Sequence, residues 1–239
     1  MIVRWRVGEK VKNGTREMCS ADYVREDRRL ARIYRCYAPF YDQLFGRLYR
    51  SARRRSIASL DLAATDRVFI PCIGTGLDLP ELPTSVVVGL DTSAAMLTRA
   101  RDKPRRGAAE LLLGDARHAP FRSAVFDAAI LHLALSVVPE PANAFNEVLR
   151  VVKPGGRIAV LDKFAPAGRV SSARHVANDA IRWTGTDITR SFDEILDGQP
   201  IIVLRSETAL LGNYRLILLR RSEPPLGLSD RQASPVSAH

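Results

Sequence analysis

The chain has 239 residues, 46% of them hydrophobic and 26% charged, with a net charge of +10. That length suits one α/β domain with an extension, or two small domains, and no window approaches the ~18 uninterrupted apolar residues of a membrane-spanning helix. The charge is uneven. Residues 1–57 hold 15 Lys/Arg and 6 Asp/Glu, so the remainder is close to neutral; a basic segment on a neutral body is either a surface that meets something anionic or a solvated arginine-rich extension.

Residues 1–20 show no clear period and no apolar core of a signal peptide; they read as a mobile extension, with Met18 an alternative start. The pattern over 21–60 is helical. Leu30, Ile33, Tyr34, Tyr37 and Tyr41 recur at spacings of three and four, and Pro39 interrupts them. The stretch 44-LFGRLYRSARRRSIASL-60 sets Leu44, Phe45, Leu48, Tyr49 and Ala52 against Arg47, Arg50, Arg53, Arg54 and Arg55. It reads as a basic amphipathic helix that either packs on the domain or lies on an anionic membrane.

Strands and helices then alternate over 61–220. Strands are predicted at 67–72, 86–91, 110–115, 125–133, 157–164, 201–207 and 213–220, and helices at 76–82, 93–103 with Ser93 as N-cap, 142–152 and 170–183. The 154-PGG-156 run reads as a turn that stops one helix and starts a strand. Near-continuous Val/Ile/Leu in the middle strands points to burial on both faces. The expected fold is α/β: a doubly wound, Rossmann-like, mostly parallel seven-stranded sheet with the last strand antiparallel, plus the N-terminal helical lid of 21–60. The Pro/Ser-rich tail 221–239 reads as disordered.

In such a sheet the first βα turn receives the ligand. Gly74, Thr75 and Gly76 allow close backbone approach there. Asp91 ends the second strand, where a carboxylate can accept two ribose hydroxyls. Asp115, within 114-GDA-116, ends the third. A dinucleotide would want a third glycine, but Gly76 is followed by Leu77, Asp78 and Leu79. S-adenosylmethionine has no pyrophosphate and needs only the G-T-G.

The runs 68-VFIPCIGTGLDLP-80, 86-VVVGLDTSAAMLTRAR-101, 114-GDARHAPFRSAVFDAAI-130 and 144-AFNEVLRVVKPGGRIAVLDKF-164 resemble a class I S-adenosylmethionine-dependent methyltransferase. The N-terminal 34-YRCYAPFYDQLFG-46 is similar to that of ubiquinone/menaquinone C-methyltransferases. Together with G-T-G-L-x-L-P and 137-VVPEP-141, it is closer still to bacterial phospholipid N-methyltransferases. The resemblance implies that Gly74, Thr75 and Gly76 lie under the methyl donor's amino-acid portion. It implies that Asp91 holds the ribose, that Thr92 and Met96 line the adenosine pocket, and that Asp115 and Ala116 meet adenine. His132 would sit near the methyl group, and Tyr34, Tyr37 and Tyr41 would close the lid.

Two positions depart from that family. Ile70 stands where an acid usually helps hold the donor's ammonium, and Cys72 where the first glycine usually stands, tolerable if its φ is negative. Asp78 is a candidate substitute for the acid, or simply a partner of the helix N-terminus.

His132 is a candidate general base, alongside a plain structural role. Tyr34 and Tyr41 are catalytic-side candidates whose π-faces and hydroxyls suit a cationic nitrogen, or they are helix core. His118 and His175 read as surface residues, and no metal-ligand spacing appears. The run 132-HLALSVVPEP-141 lacks the N-P-P-Y of base-amine methylases, which argues against nucleic acid. Cys19, Cys36 and Cys72 have no paired spacing and fit a reducing cytoplasm. The expected acceptor is a small amphiphile. Phosphatidylethanolamine, N-methylated at the inner membrane face, is the first expectation, with 183–196 as pocket wall. C- or O-methylation of a quinone or polyketide-like ring is the second, and a non-catalytic adaptor with a degenerate motif the third.

Overall fold

The computed structural model describes residues 42, 46–83, 86–164, 189–209 and 214–223. The expected extension 1–20, Tyr34, Tyr37, Tyr41 and the helix at 170–183 lie outside the described residues. The sheet strands are β1 Arg67–Pro71, β2 Val86–Asp91, β3 Ala109–Leu113, β4 Phe126–His132, β5 Val152–Asp162, β6 Ile201–Ala209 and β7 Tyr214–Arg221. The helices are α1 (46–59), α2 Ala94–Arg101, α3 Pro141–Val151 and α4 Phe192–Leu196.

The strand order is β3-β2-β1-β4-β5-β7-β6. β1 to β5 pair in parallel, and β7 runs antiparallel between β5 and β6. The reversal of order at β1 and β4 opens a crevice at their carboxyl ends, where ligands of such sheets bind. The sheet matches the sequence expectation, single antiparallel strand included.

Alternate residues of each strand face opposite sides, as the pleat requires. Phe69, Leu131, Val160 and Ile217 join Phe145, Val148 and Phe192 of α3 and α4 in one core. Val68, Ile70, Ile130 and Ala159 join Ile57 of α1 and Leu97 and Ala100 of α2 in the other. α1 buries Tyr49, Ala52, Arg53, Ser56 and Ile57, a helical stripe, and exposes Arg47, Leu48, Arg50, Arg54 and Arg55. Its Tyr49 also packs edge-on against Tyr214 at the start of β7, ring centroids 5.1 Å apart, with the two hydroxyls hydrogen-bonded.

Two elements differ from the sequence reading. The helix expected over 76–82 is one 3₁₀ turn, Leu79–Glu81. Pro80 lacks a donor and Pro83 turns Leu82 extended, so no α-turn can propagate. The 154-PGG-156 run lies inside β5, which starts at Val152; a register irregularity opposite Phe126 and Ala128 and a left-handed Gly155 absorb it. The tail also starts later than 221, since β7 includes Arg221.

Gly74 and Gly76 of the first βα loop both have left-handed φ, +58° and +75°. They differ in surroundings. A Cβ on Gly76 would lie 2.9 Å from Leu79 Cδ1 and 3.1 Å from the Ala100 backbone of α2, whereas one on Gly74 would meet nothing within 4 Å. Gly74→Ala is therefore expected to cost only the backbone strain, about 1 kcal/mol. Gly76→Ala adds overpacking and is expected to cost about 2–4 kcal/mol, compared by urea unfolding.

Candidate active site

The carboxyl ends of β1, β2 and β4, with the loop after β3, surround one cleft enclosing about 880 Å³, its open mouth included. The glycine loop forms its floor. Cys72, Ile73, Gly74, Thr75 and Leu77 line it, and the open space beside Gly74 is where a ligand can approach the backbone. Cys72 sits at φ +55°, so the negative φ that would make it an easy replacement for glycine is not what it adopts. Its half-buried side chain packs against two apolar clusters, which hold the strained backbone in place. Burial, with the nearby Asp91 and Asp115 charges, pushes its thiol well above the usual range, so it stays protonated.

Asp91 at the tip of β2 ties the loops together. Its Oδ2 accepts from the Gly74 N–H at 2.8 Å and its Oδ1 from the Ser93 N–H at 2.9 Å. Burial raises its pKa against the pull of those two bonds. Each oxygen keeps a further acceptor site, enough for two ligand hydroxyls. Ser93 in turn caps α2 as expected, accepting from the Met96 N–H at 3.4 Å. Thr92 and Met96 line the cleft beside Asp91.

Asp115 and Ala116 line the cleft after β3. The sequence reading missed that Asp115 is clamped by its neighbour: Arg117 donates Nε at 2.9 Å and Nη2 at 2.6 Å to Oδ2, and Nη1 to Glu140 at 3.2 Å. Burial works against the Asp115 charge, but the Arg117 bonds outweigh it and lower the pKa. Arg117 also lines the cleft. No spacing signal marked it, because an i,i+2 pair off a regular element has no periodicity.

His132 ends β4 and lines the cleft, but its ring is engaged at both nitrogens. Nδ1 lies 2.7 Å from Asp78 Oδ1 and Nε2 lies 2.9 Å from Ser56 Oγ. The same Asp78 oxygen accepts Arg53 Nη1 at 2.8 Å. Arg53, Ser56, Asp78 and His132 are all buried. Burial opposes the Asp78 charge, but Arg53 and then His132 outweigh it and hold the carboxyl well below the usual range. An ionised Asp78 can only accept, so Nδ1 donates to it. Nε2 then accepts the Ser56 hydroxyl in the neutral ring or donates to it in the cationic one. In the neutral ring the Nε2 lone pair is taken by the Ser56 hydroxyl, so His132 would act on an acceptor only through Ser56 or after that bond breaks.

Asp78 does not line the cleft, and its Oδ1 is taken by Arg53 of α1 and by His132. Arg53 is the reverse case. The sequence pattern groups it with the exposed arginines, yet it is buried and lines the cleft. Ser56 and Arg53 lie 76 and 25 positions from their partners, beyond any local signal. Tyr34 and Tyr41 lie outside the described residues. Among the described residues no group of three His/Cys/Asp/Glu could hold a metal.

The family described as "Methyltransferase domain" matches residues 72–160. The phosphatidylethanolamine N-methyltransferase of Cereibacter sphaeroides is 35% identical over 163 residues, covering 64% of this chain and 79% of that protein. The chain belongs to the class I S-adenosylmethionine-dependent methyltransferases. The 2-phytyl-1,4-naphtoquinone methyltransferase of Synechococcus elongatus is 38% identical over 144 residues, 54% of this chain and 61% of that one. The solved complex of DhpI with SAH shares the fold, with a TM-score of 0.61 and 19% identity over 83% of this chain and 98% of that one. This methyltransferase uses S-adenosylmethionine as its methyl donor. That sets aside the adaptor reading. A backbone floor open at Gly74 and carboxylates after β2 and β3 fit the donor's adenosine.

The buried Asp78 makes a pH-dependent prediction. Asp78→Asn removes the buried carboxylate that Arg53 and His132 share and is expected to cost about 3–5 kcal/mol at pH 7. A depressed folded pKa gives stability that is fully present above the unfolded value of about 4 and is lost as pH falls through the folded value. The gap between wild type and Asp78→Asn is therefore expected to narrow between pH 7 and pH 3 in urea unfolding.

Proposed function

We propose that this methyltransferase N-methylates an ethanolamine phospholipid at an anionic membrane surface. The observation that carries the reading is α1, which reaches the cleft on one side and the solvent on the other. Its buried face puts Arg53 into the cleft wall, while its outer face exposes Arg47, Arg50, Arg54, Arg55 and Leu48. Arg50 and Arg54 both pair with Glu81, which braces the outer face on the domain. A basic face with an apolar residue among its arginines suits anionic headgroups. A lipid held there would present its amine to the cleft. The name of the Cereibacter sphaeroides relative supports the same acceptor. No described helix is long and apolar enough to cross a membrane, so the attachment proposed is peripheral.

When bound, S-adenosylmethionine supplies an electrophilic methyl on a sulfonium. Under this reading Asp91 receives the ribose hydroxyls, Thr92 and Met96 wall the adenosine, and Asp115 with Ala116 meets adenine. Gly74, Thr75 and Gly76 carry the amino-acid portion. The loop residues Val137, Val138 and Pro139 give the cleft an apolar wall that excludes water. With His132 committed, the amine gives its proton to solvent before transfer, and the protein contributes position and desolvation. A second reading, methylation of a quinone ring, is supported by the name of the Synechococcus relative.

One experiment separates the two. Labelled S-adenosylmethionine is incubated with the protein and vesicles of phosphatidylethanolamine and phosphatidylglycerol, or with a demethylated quinol in neutral detergent. Label is expected in the lipid amine. Label in the quinol alone would replace this reading with the second. Arg47→Ser with Arg55→Ser is expected to weaken vesicle binding at low salt by about 2 kcal/mol, at roughly 1 kcal/mol per basic side chain.

A further inference from the structure

The ligand's two ends are treated unequally by the charges of the cleft. Its carboxylates, Asp91 and Asp115, follow β2 and β3. At the glycine-loop end, none of the described lining residues from Cys72 to Leu77 is acidic. Ile70, one residue before the end of β1, is 1% exposed and packed into the core under α1 and α2. Asp78, the nearest acid along the chain, already serves Arg53 and His132 through one oxygen. The amino-acid portion of S-adenosylmethionine carries an ammonium, and a charged donor entering a desolvated site needs an acceptor.

The acid that reaches this end comes from the N-terminal segment. Asp42 Oδ1 accepts from the Thr75 hydroxyl at 2.5 Å, and Asp42 Oδ2 takes the Lys103 ammonium just beyond α2. Thr75 is 1% exposed and is the central residue of the G-T-G that lines the cleft. Its hydrogen is spent on Asp42, so its oxygen keeps acceptor sites only. Asp42 Oδ1 likewise keeps a second acceptor site. The Asp42–Lys103 pair is partly exposed, with side chains 24% and 20% accessible, so it binds Asp42 weakly.

We propose that Asp42 is the anion of the donor's amino-acid end, replacing the acid absent at Ile70. It would hold the ammonium through the Thr75 oxygen, which lines the cleft, donates to Asp42 and accepts from the ligand. This makes Asp42, which precedes α1, part of the cofactor site. The proposal rests on the assignment of S-adenosylmethionine as donor.

The test uses two ligands that differ at this end alone. S-adenosylhomocysteine carries the ammonium; 5′-methylthioadenosine keeps the adenosine and thioether but lacks it. Calorimetric titration of both into wild type, Asp42→Asn and Lys103→Met is the measurement. Asp42→Asn is expected to weaken S-adenosylhomocysteine about tenfold or more, the scale of one charge-assisted hydrogen bond. Methylthioadenosine should stay within about twofold, and its binding also reports that the variant is folded. Lys103→Met is expected to leave S-adenosylhomocysteine as tight as in wild type, or tighter. Equal weakening of both ligands by Asp42→Asn would overturn the proposal, as would no weakening of either. Loss of S-adenosylhomocysteine in Lys103→Met to the same degree would show that the ion pair matters rather than the anion, and would overturn it too. A wild-type protein that binds neither ligand would overturn the donor assignment, a result distinct from all of these.

Discussion

One carboxylate oxygen, Asp78 Oδ1, is where the first helix, the glycine loop and the end of β4 meet. It accepts from Arg53 at 2.8 Å and His132 at 2.7 Å, and His132 passes the chain on to Ser56. A charge buried this deeply is tolerated because its partners neutralise it and fill its hydrogen bonds. Removing Asp78 takes away the acceptor that Arg53 and His132 share. The consequence is positional: α1 cannot slide on the sheet, so its inner stripe closes the cleft while its arginines stay outside. Tyr49 against Tyr214 fixes the same helix at a second point, over β7.

The same network decides what His132 can do. His132 ends β4 and lines the cleft, and an uncommitted imidazole there would read as a base. With Nδ1 on Asp78 and Nε2 on Ser56, the ring joins the end of β4 to the glycine loop and to α1. The chemistry left to the protein is to place the acceptor, exclude water and supply fixed dipoles and charges around the donor. Asp91 shows the economy of that arrangement. By accepting from Gly74 and Ser93 it sets the glycine loop and the start of α2, and still faces the cleft with acceptor sites to spare.

Much of the fold was legible because buried parallel strands are continuous Val/Ile/Leu runs, and because Ser93 capping α2 is a local signal. The acids at 91 and 115 were legible by the same logic, as the residues that end the predicted second and third strands. Three things were not. The helix over 76–82 shrank to a single 3₁₀ turn because Pro80 and Pro83 outweigh the apolar pattern. Cys72 was read as a tolerable substitution if its φ were negative, whereas the loop holds it left-handed with its side chain half-buried at the cleft. Arg53 and Ser56 carry no signal, since the pattern of α1 shows which residues are alike but not which arginine meets a buried acid 25 positions away. Charge partners across elements are a property of packing, and they are where a one-dimensional reading ends.

The anchoring claim is tested most directly by a double-mutant cycle in Arg53→Met and Asp78→Asn, followed by urea unfolding at pH 7. The account predicts that each single variant loses about 3–5 kcal/mol and that the double variant loses no more than the worse single, a coupling of about 3 kcal/mol or more. Losses that simply add would contradict it, and would mean that α1 is held by its apolar stripe alone.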